Sequence, residues 1–126
     1  MERMVSTYHD GESDTRPWGH WEVLSSASDY VVKRIVIRPG QHISLQRHAH
    51  RSEHWVVIGG IGLMTLGTEH RTIHTGEQAL IHCGELHRIE NIGDGDLVFI
   101  EVQLGTWLSE DDIERLADES GPVAPP

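Results

Sequence analysis

Residues 40–60, GQHISLQRHAHRSEHWVVIGG, decide the fold. Alternate side chains of a strand share one face, so Gln46, His48 and His50 are predicted to point the same way. After a short turn, Glu53 heads the next strand, which brings amide, imidazole and carboxylate groups within reach of one point. Unpaired polar groups on an otherwise apolar strand face are costly, so the pattern indicates a shared ligand such as a metal ion.

The rest of the chain reads as short strands separated by glycine or polar residues, which is typical of a sandwich or barrel. The predicted strands cover residues 18–24, 30–38, 43–48, 53–58, 62–66, 70–74, 78–82, 87–91 and 96–104. One short C-terminal helix is expected, capped by Ser109, with Asp111 and Asp112 in its first turn and a stop at Gly121-Pro122. The fold class predicted is therefore all-β with a short C-terminal helix.

Length and composition bound the function. The 126 residues fit one domain, with a flexible leader at 1–15, a barrel at 16–120 and a tail at 121–126. Ten Lys and Arg against twenty Asp and Glu give a net charge of -10, which argues against nucleic acid and anionic membrane partners. Cys83 has no partner for a disulfide, and no signal peptide or membrane-spanning stretch is visible, so a cytoplasmic location is expected.

Two spaced motifs resemble those of the cupin superfamily. The first motif is formed by Gly40, Gln46, His48, Glu53 and Gly60. The second motif is formed by Gly76, His82, Gly84, His87 and Asn91. Gln46 replaces the usual first histidine, and His82 replaces the usual proline. The resemblance implies a cupin fold, that is, a double-stranded β-helix or jelly-roll barrel.

Further stretches make the chain similar to the C-terminal isomerase domain of type II mannose-6-phosphate isomerases. They include Arg16-Pro17-Trp18-Gly19, Val32-Lys33-Arg34-Ile35, Glu53-His54-Trp55, Ile100-Glu101-Val102-Gln103 and Glu110-Asp111-Asp112-Ile113. In that family the domain often follows a mannose-1-phosphate guanylyltransferase domain, and this chain resembles the stand-alone form. The resemblance implies a metal-dependent isomerase that interconverts mannose 6-phosphate and fructose 6-phosphate.

The family's metal ligands carry over onto Gln46, His48, Glu53 and His87. The resemblance implies one divalent ion, with zinc as the expected metal. Nitrogen and oxygen ligands without a thiolate also suit manganese, iron, cobalt and nickel.

Aldose–ketose isomerisation also needs a base that carries a proton between two carbons. Three residues are candidates, in the order Glu101, His50 and Lys33. Glu101 lies in a strand that is apolar on both faces, where it could instead pair with a buried cation. His50 could equally be a fifth ligand or a partner of a ligand.

A phosphorylated substrate needs cations. Lys33 alternates with apolar residues, so it is predicted to be buried and to need a partner such as a phosphate. Arg34, Arg88 and Arg16 are the other candidates. Arg88 follows His87 and is predicted to face the other way, where a structural salt bridge is an equal alternative.

Two other functions stay open, an isomerase of a different sugar and a non-catalytic cupin that binds a metal or a sugar. A homodimer is also expected. The N-terminal strand with Trp18 and Trp21 has no obvious packing partner in so small a barrel, and cupins commonly pair by exchanging such a strand.

Overall fold

The computed structural model describes residues 4–116. This part of the chain forms thirteen strands and no helix. It therefore contains no helix that is long and apolar enough to cross a bilayer. The strands are β1 (Val5–Ser6), β2 (Ser13–Arg16), β3 (Gly19–Ser26), β4 (Tyr30–Ile37), β5 (Leu45–Arg47), β6 (Arg51–Gly59), β7 (Ile61–Leu66), β8 (Glu69–His74), β9 (Gln78–Ile81), β10 (His87–Asn91), β11 (Leu97–Gly105), β12 (Trp107–Leu108) and β13 (Glu114–Leu116). The all-β prediction is confirmed.

Two antiparallel sheets share one core. The larger sheet has the order β2-β3-β4-β11-β6-β9, and the smaller sheet has the order β13-β5-β10-β7-β8. Alternating side chains point inward from both sheets, so Trp55 and Phe99 of the larger sheet join Met64 and Ile89 of the smaller one in a single apolar cluster. A cavity lined by residues of both sheets, among them Gln46, Glu53 and Glu101, reaches into this core.

Asn91, the last residue of the second motif, ties the two sheets together. Its side-chain amide donates to the carbonyl oxygens of Ile37 and Gly95, both at 2.8 Å, and its side-chain oxygen accepts from the Gly93 amide at 2.9 Å. Nearby, Gly60 has a φ of +91°, and a Cβ there would lie 2.7 Å from the Asp96 carbonyl oxygen. Only glycine fits this turn without strain.

The predicted C-terminal helix is wrong. Ser109 does begin a turn, because its hydroxyl accepts a hydrogen bond from the Asp111 amide at 3.1 Å. The chain then becomes β13 and pairs antiparallel with the free edge of β5. This ladder provides hydrogen bonds for the backbone groups that would otherwise bond within a helix. The local capping signals therefore did not lead to a helix. The predicted helix stop and the tail at 121–126 lie outside the described residues.

The segment expected to be a flexible leader contains paired backbone. Strand β1 runs parallel to β12, and β2 is antiparallel to β3. Tyr8, between them, is only 5% exposed and packs edge-on against Trp21 with ring centroids 6.1 Å apart. Trp18 and Trp21 are buried in this chain's own core. The reason for expecting strand exchange, that this segment lacks a packing partner, therefore does not hold.

Candidate metal centre

Four side chains predicted to share a site lie close together in the fold. Gln46 belongs to β5, His48 directly follows that strand, Glu53 belongs to β6 and His87 begins β10. β10 and β5 pair so that His87 lies opposite Gln46. His48, Glu53 and His87 are all buried, and each offers a ligand atom within 4.8 Å of the others.

Both imidazoles direct the same ring atom at the carboxylate between them. The Nε2 atom of His48 is 3.2 Å from Oε2 of Glu53, and the Nε2 atom of His87 is 3.8 Å from Oε1. The two imidazole rings lie 5.0 Å apart between centroids.

The second nitrogen of each ring fixes the tautomer. Nδ1 of His48 donates to the Asp112 carbonyl oxygen at 2.7 Å, and Nδ1 of His87 donates to the Glu85 carbonyl oxygen at 2.9 Å. A carbonyl oxygen can only accept, so the proton is on Nδ1 in both rings. In the neutral imidazole, Nε2 then carries a lone pair that is available to a metal.

Burial and charge set the protonation states. Burial lowers the pKa of His48 to about 4 and also lowers the pKa of His87, so both rings are neutral at neutral pH. Burial would raise the pKa of Glu53, but the Arg51 guanidinium holds it well below its usual range. Two lone pairs and one ionised carboxylate therefore face the same point.

This arrangement fits a divalent cation. The Nε2 atom of His87 is buried and, among the described residues, has no hydrogen-bond partner. A carboxylate without a proton cannot satisfy an imidazole lone pair, whereas a cation satisfies both. Gln46 lines the same cavity as His48 and Glu53, and its amide oxygen is a further donor that a metal accepts.

Arg51, which sequence analysis missed, holds the Glu53 carboxylate in place. Its Nε donates to Oε2 of Glu53 at 2.8 Å, and one terminal nitrogen donates to the Ser109 carbonyl oxygen at 2.8 Å. The indole nitrogen of Trp55 donates to Oε1 of Glu53 at 3.0 Å. Strand alternation from Glu53 back to Arg51 was the signal that could have found this buried cation.

Asp112, also missed, holds the loop that carries His48. Its carboxylate accepts from the backbone amides of Ala49 and His50, each at 2.9 Å, while its carbonyl oxygen orients His48. The sequence pattern had assigned Asp112 to the first turn of a helix, where its role would have been local.

The structure does not bring His50 into the cavity. Strand β5 ends at Arg47, and the chain bends over residues 48–50, so alternation does not extend to His50. The His50 ring is exposed and lies edge-on to Trp107, with centroids 5.4 Å apart. The predicted shared face with Gln46 and His48 is therefore wrong for His50, whose ring lies away from the ligands and from Glu101.

Glu101 of β11 lies in the cavity beside Glu53. It is 4% exposed, and burial together with the charge of Glu53 raises its pKa to about 8. At neutral pH it is a neutral acid that donates a hydrogen bond to Glu53. The Gln103 side-chain amide donates to Oε2 of Glu101 at 2.9 Å and holds the group in place.

Lys33 is buried as predicted, and its charge is matched inside the chain. Its ammonium donates to the Glu110 carboxylate at 2.7 Å and to the Tyr8 hydroxyl at 3.1 Å. It also lies 4.1 Å from the Trp21 ring centroid, a distance that favours a cation–π interaction. The Tyr8 hydroxyl donates to the same Glu110 oxygen.

Of four arginines considered as partners of a phosphate, two line the cavity and two do not. Arg16 lines the cavity, and so does Arg115, which sequence analysis missed. Arg34 follows Lys33 and lies half-buried on the other face of β4. Arg88 follows His87 in the same way on β10. Neither Arg34 nor Arg88 is among the described residues that line the cavity.

Two antiparallel sheets around a buried His–Glu–His cluster define the class of protein, a cupin. The crystal structure of an uncharacterized conserved protein with a double-stranded β-helix domain from Klebsiella pneumoniae is similar, with a TM-score of 0.68. The match covers 91% of this chain and 92% of that chain at 22% sequence identity, so it speaks for the fold. The predicted cupin fold is confirmed.

Residues 3–118 match the family described as mannose-6-phosphate isomerase C-terminal, and the chain belongs to that family. The mannose-1-phosphate guanylyltransferase of Salmonella muenchen is 43% identical over 106 residues, which cover 84% of this chain and 22% of that protein. The alginate biosynthesis protein AlgA of Pseudomonas aeruginosa is 40% identical over 111 residues, which cover 88% of this chain and 23% of that protein. The chain thus spans less than a quarter of the length of these curated relatives.

Proposed function

We propose that this chain is a metal-dependent aldose–ketose isomerase that interconverts mannose 6-phosphate and fructose 6-phosphate. The observation that carries the proposal is the Glu53 cluster, defined as His48, Glu53, His87 and Arg51. In it, the Nε2 lone pairs of two neutral imidazoles both face an ionised carboxylate, and none of the three groups carries a proton at that point. Membership of the isomerase family supports the choice of reaction.

A divalent ion held by Gln46, His48, Glu53 and His87 would polarise the sugar carbonyl and stabilise the negative charge that develops beside it. Zinc is the proposed metal, and the same nitrogen and oxygen donors suit manganese, iron, cobalt and nickel.

We assign the proton transfer to Glu101. It lines the cavity and is held by Gln103. In the metal-free chain, burial raises its pKa above the usual carboxyl range and toward neutral, where a group can both accept and return a proton. Lys33 is already bonded to Glu110 and Tyr8, so we assign it to positioning the cavity wall. Apolar groups of Trp18 and Ile35 line the same cavity and limit the access of water to the reacting carbons.

A coupled assay of the purified chain tests the proposal. The chain is stripped of metal and reloaded with zinc, manganese, iron, cobalt or nickel in turn. Turnover of mannose 6-phosphate is expected with at least one metal and is lost in Glu101→Gln, while the exposed outward-facing variant His20→Ala keeps it. Turnover of only another sugar favours the second isomerase hypothesis. Tight sugar binding without turnover under every metal favours a non-catalytic cupin, and either result overturns the proposal.

We also propose that the chain forms a homodimer in the cytoplasm. The outward face of the larger sheet exposes Val56 at 39%, Ile58 at 49%, Leu80 at 50% and Leu104 at 51%, on the adjacent strands β9, β6 and β11. Such an apolar face favours a second copy over water. Sedimentation equilibrium is expected to give twice the mass of the chain, and Ile58→Lys is expected to reduce it to the mass of one chain. A single-chain mass for the unmodified protein contradicts the dimer.

A further inference from the structure

Two guanidinium groups face the same opening from opposite sheets. Arg16 ends β2 in the larger sheet, and Arg115 lies in β13 of the smaller sheet. Both line the cavity, and both remain accessible to solvent, so they lie at its mouth. In the ladder between β13 and β5, Arg115 is directly opposite Gln46, which places it beside the proposed metal centre.

The cations deeper in the cavity are already matched. Lys33 contacts Glu110 at 2.7 Å, and Arg51 contacts Glu53 at 2.8 Å. An anionic substrate group would have to displace these buried bonds in order to bind there, which costs more than binding at the mouth. Among residues 4–116, the interior of the cavity therefore does not supply the free cation that a phosphate needs.

The positive charge at the mouth is only partly neutralised by nearby carboxylates. Arg16 contacts the half-exposed Asp14 at 3.1 Å, and within residues 4–116 no carboxylate lies at salt-bridge distance from Arg115. Partial burial and the nearby charge of Arg16 lower the pKa of Arg115, against a smaller opposing effect of the Glu110 carboxylate, which is already bonded to Lys33 and Tyr8. Two guanidiniums that repel each other across an opening are stabilised by an anion between them.

We infer that Arg16 and Arg115 bind the phosphate of the sugar substrate, an inference that rests on the proposed function. The guanidinium fork offers two parallel N–H donors to phosphate oxygens. The anionic end of the sugar then lies at the mouth, and the carbonyl end reaches inward toward Glu53 and Glu101. This pair decides between phosphorylated and unphosphorylated sugars.

The test measures binding of mannose 6-phosphate to the metal-loaded chain by calorimetry, alongside KM and kcat. Arg115→Ala and Arg16→Ala are each expected to raise Kd and KM for mannose 6-phosphate roughly 10- to 100-fold, because each removes charge-assisted hydrogen bonds. Metal content and the Kd for unphosphorylated mannose stay unchanged. Arg115→Lys recovers only part of the affinity, since an ammonium lacks the fork. Arg34→Ala, which removes the same charge from the outward face of β4, is the matched control and is expected to change nothing.

The outcomes separate this inference from the proposed isomerase. Binding that depends on Arg115 and Arg16 without turnover overturns the isomerase and retains the phosphate site. Turnover with a KM that moves less than twofold in both alanine variants overturns the phosphate site and retains the isomerase. A wild-type chain that does not distinguish mannose 6-phosphate from mannose in calorimetry also overturns the phosphate site.

Discussion

Two ionic clusters meet in one cavity, and they differ in whether all of their polar groups have bonding partners. In the Lys33 cluster, defined as Lys33, Tyr8 and Glu110, the ammonium, the hydroxyl and the carboxylate bond to one another. In the Glu53 cluster, Nε2 of His87 has no hydrogen-bond partner among the described residues, and Nε2 of His48 faces a carboxylate that carries no proton. The first cluster is a finished structural element. The second is completed only by something that residues 4–116 do not themselves supply.

The difference is physically informative because an unsatisfied buried polar atom destabilises a fold by about 1–3 kcal/mol. A chain with a purely structural need at this position would do better with an apolar core. Arg51, Trp55, Asp112 and Glu85 instead hold the three ligand side chains in the unfavourable arrangement. Such support is expected around a metal, where partners of the ligands orient them.

The largest expected effect comes from removing the unpartnered imidazole. His87→Ala should weaken zinc affinity at least roughly 100-fold, since loss of a ligand exceeds the effect of losing a ligand's partner. Isomerase turnover should fall with it. Competition with a chromogenic chelator measures the affinity, and His54→Ala, on the outer face of β6, is the matched control. Zinc affinity equal to that of the unmodified chain would place the ion elsewhere.

Disrupting the Lys33 cluster should lower the free energy of unfolding and leave the zinc affinity unchanged. Lys33→Met removes the cation from Glu110, whose side chain is 36% exposed. Solvent therefore takes up part of the loss, and the free energy of unfolding should fall by about 1–3 kcal/mol. Urea denaturation measures this, and adding Glu110→Gln should restore part of the stability. A fall in zinc affinity as large as that of His87→Ala would show that the two clusters are not separate.

A partner of a ligand should give an intermediate effect. Asp112→Asn leaves the carbonyl that orients His48 but weakens the two backbone hydrogen bonds to its carboxylate. Zinc affinity should fall about tenfold, as is usual when a ligand's support is disturbed. The adjacent exposed variant Asp111→Asn is the control. Equal zinc affinities of the two variants would contradict a supporting role for the loop.

The smallest effect, counted for each pH unit, is a pH slope of stability in metal-free protein. The pKa of Glu101 is about 8 in the fold against a usual value of 4.5, so the folded chain holds an extra proton between these values. The stability from this group is complete below the lower value and is lost as pH rises through the higher one. Glu101→Gln cannot titrate. Between pH 6 and 8, the unmodified chain should therefore lose about 1 kcal/mol per pH unit relative to the variant. The stability of both proteins is measured by thermal unfolding at each pH. Curves of stability against pH that run parallel for the unmodified chain and for Glu101→Gln would contradict this prediction.

Much of the fold could be predicted because the information is local, and the main cluster could be predicted because two motifs resemble those of a known family. Alternation and turn residues located the strands, and every predicted strand overlaps an observed one. The spacing of two motifs named Gln46, His48, Glu53 and His87, which the strand order then brings close together. That step needed the family resemblance, since the pairing of β10 with β5 joins residues far apart in sequence.

The remaining site residues depend on contacts that a single sequence does not show. Tyr8 enters the core because β1 pairs in parallel with the distant β12. Arg115 reaches the cavity because residues 114–116 pair with β5 instead of forming a helix. His50 is lost from the site because the chain bends after Arg47. In each case a tertiary contact overrides a local pattern. The spacing of residues along the sequence does not predict such a contact.

The most direct test is a crystal structure of the chain grown with zinc, with anomalous diffraction measured on both sides of the zinc edge. One strong peak is expected at roughly 2.0–2.2 Å from Nε2 of His48, Nε2 of His87 and a carboxylate oxygen of Glu53. Density showing both Nε2 atoms bonded to water or protein, with zinc absent or bound only at the surface, would contradict it.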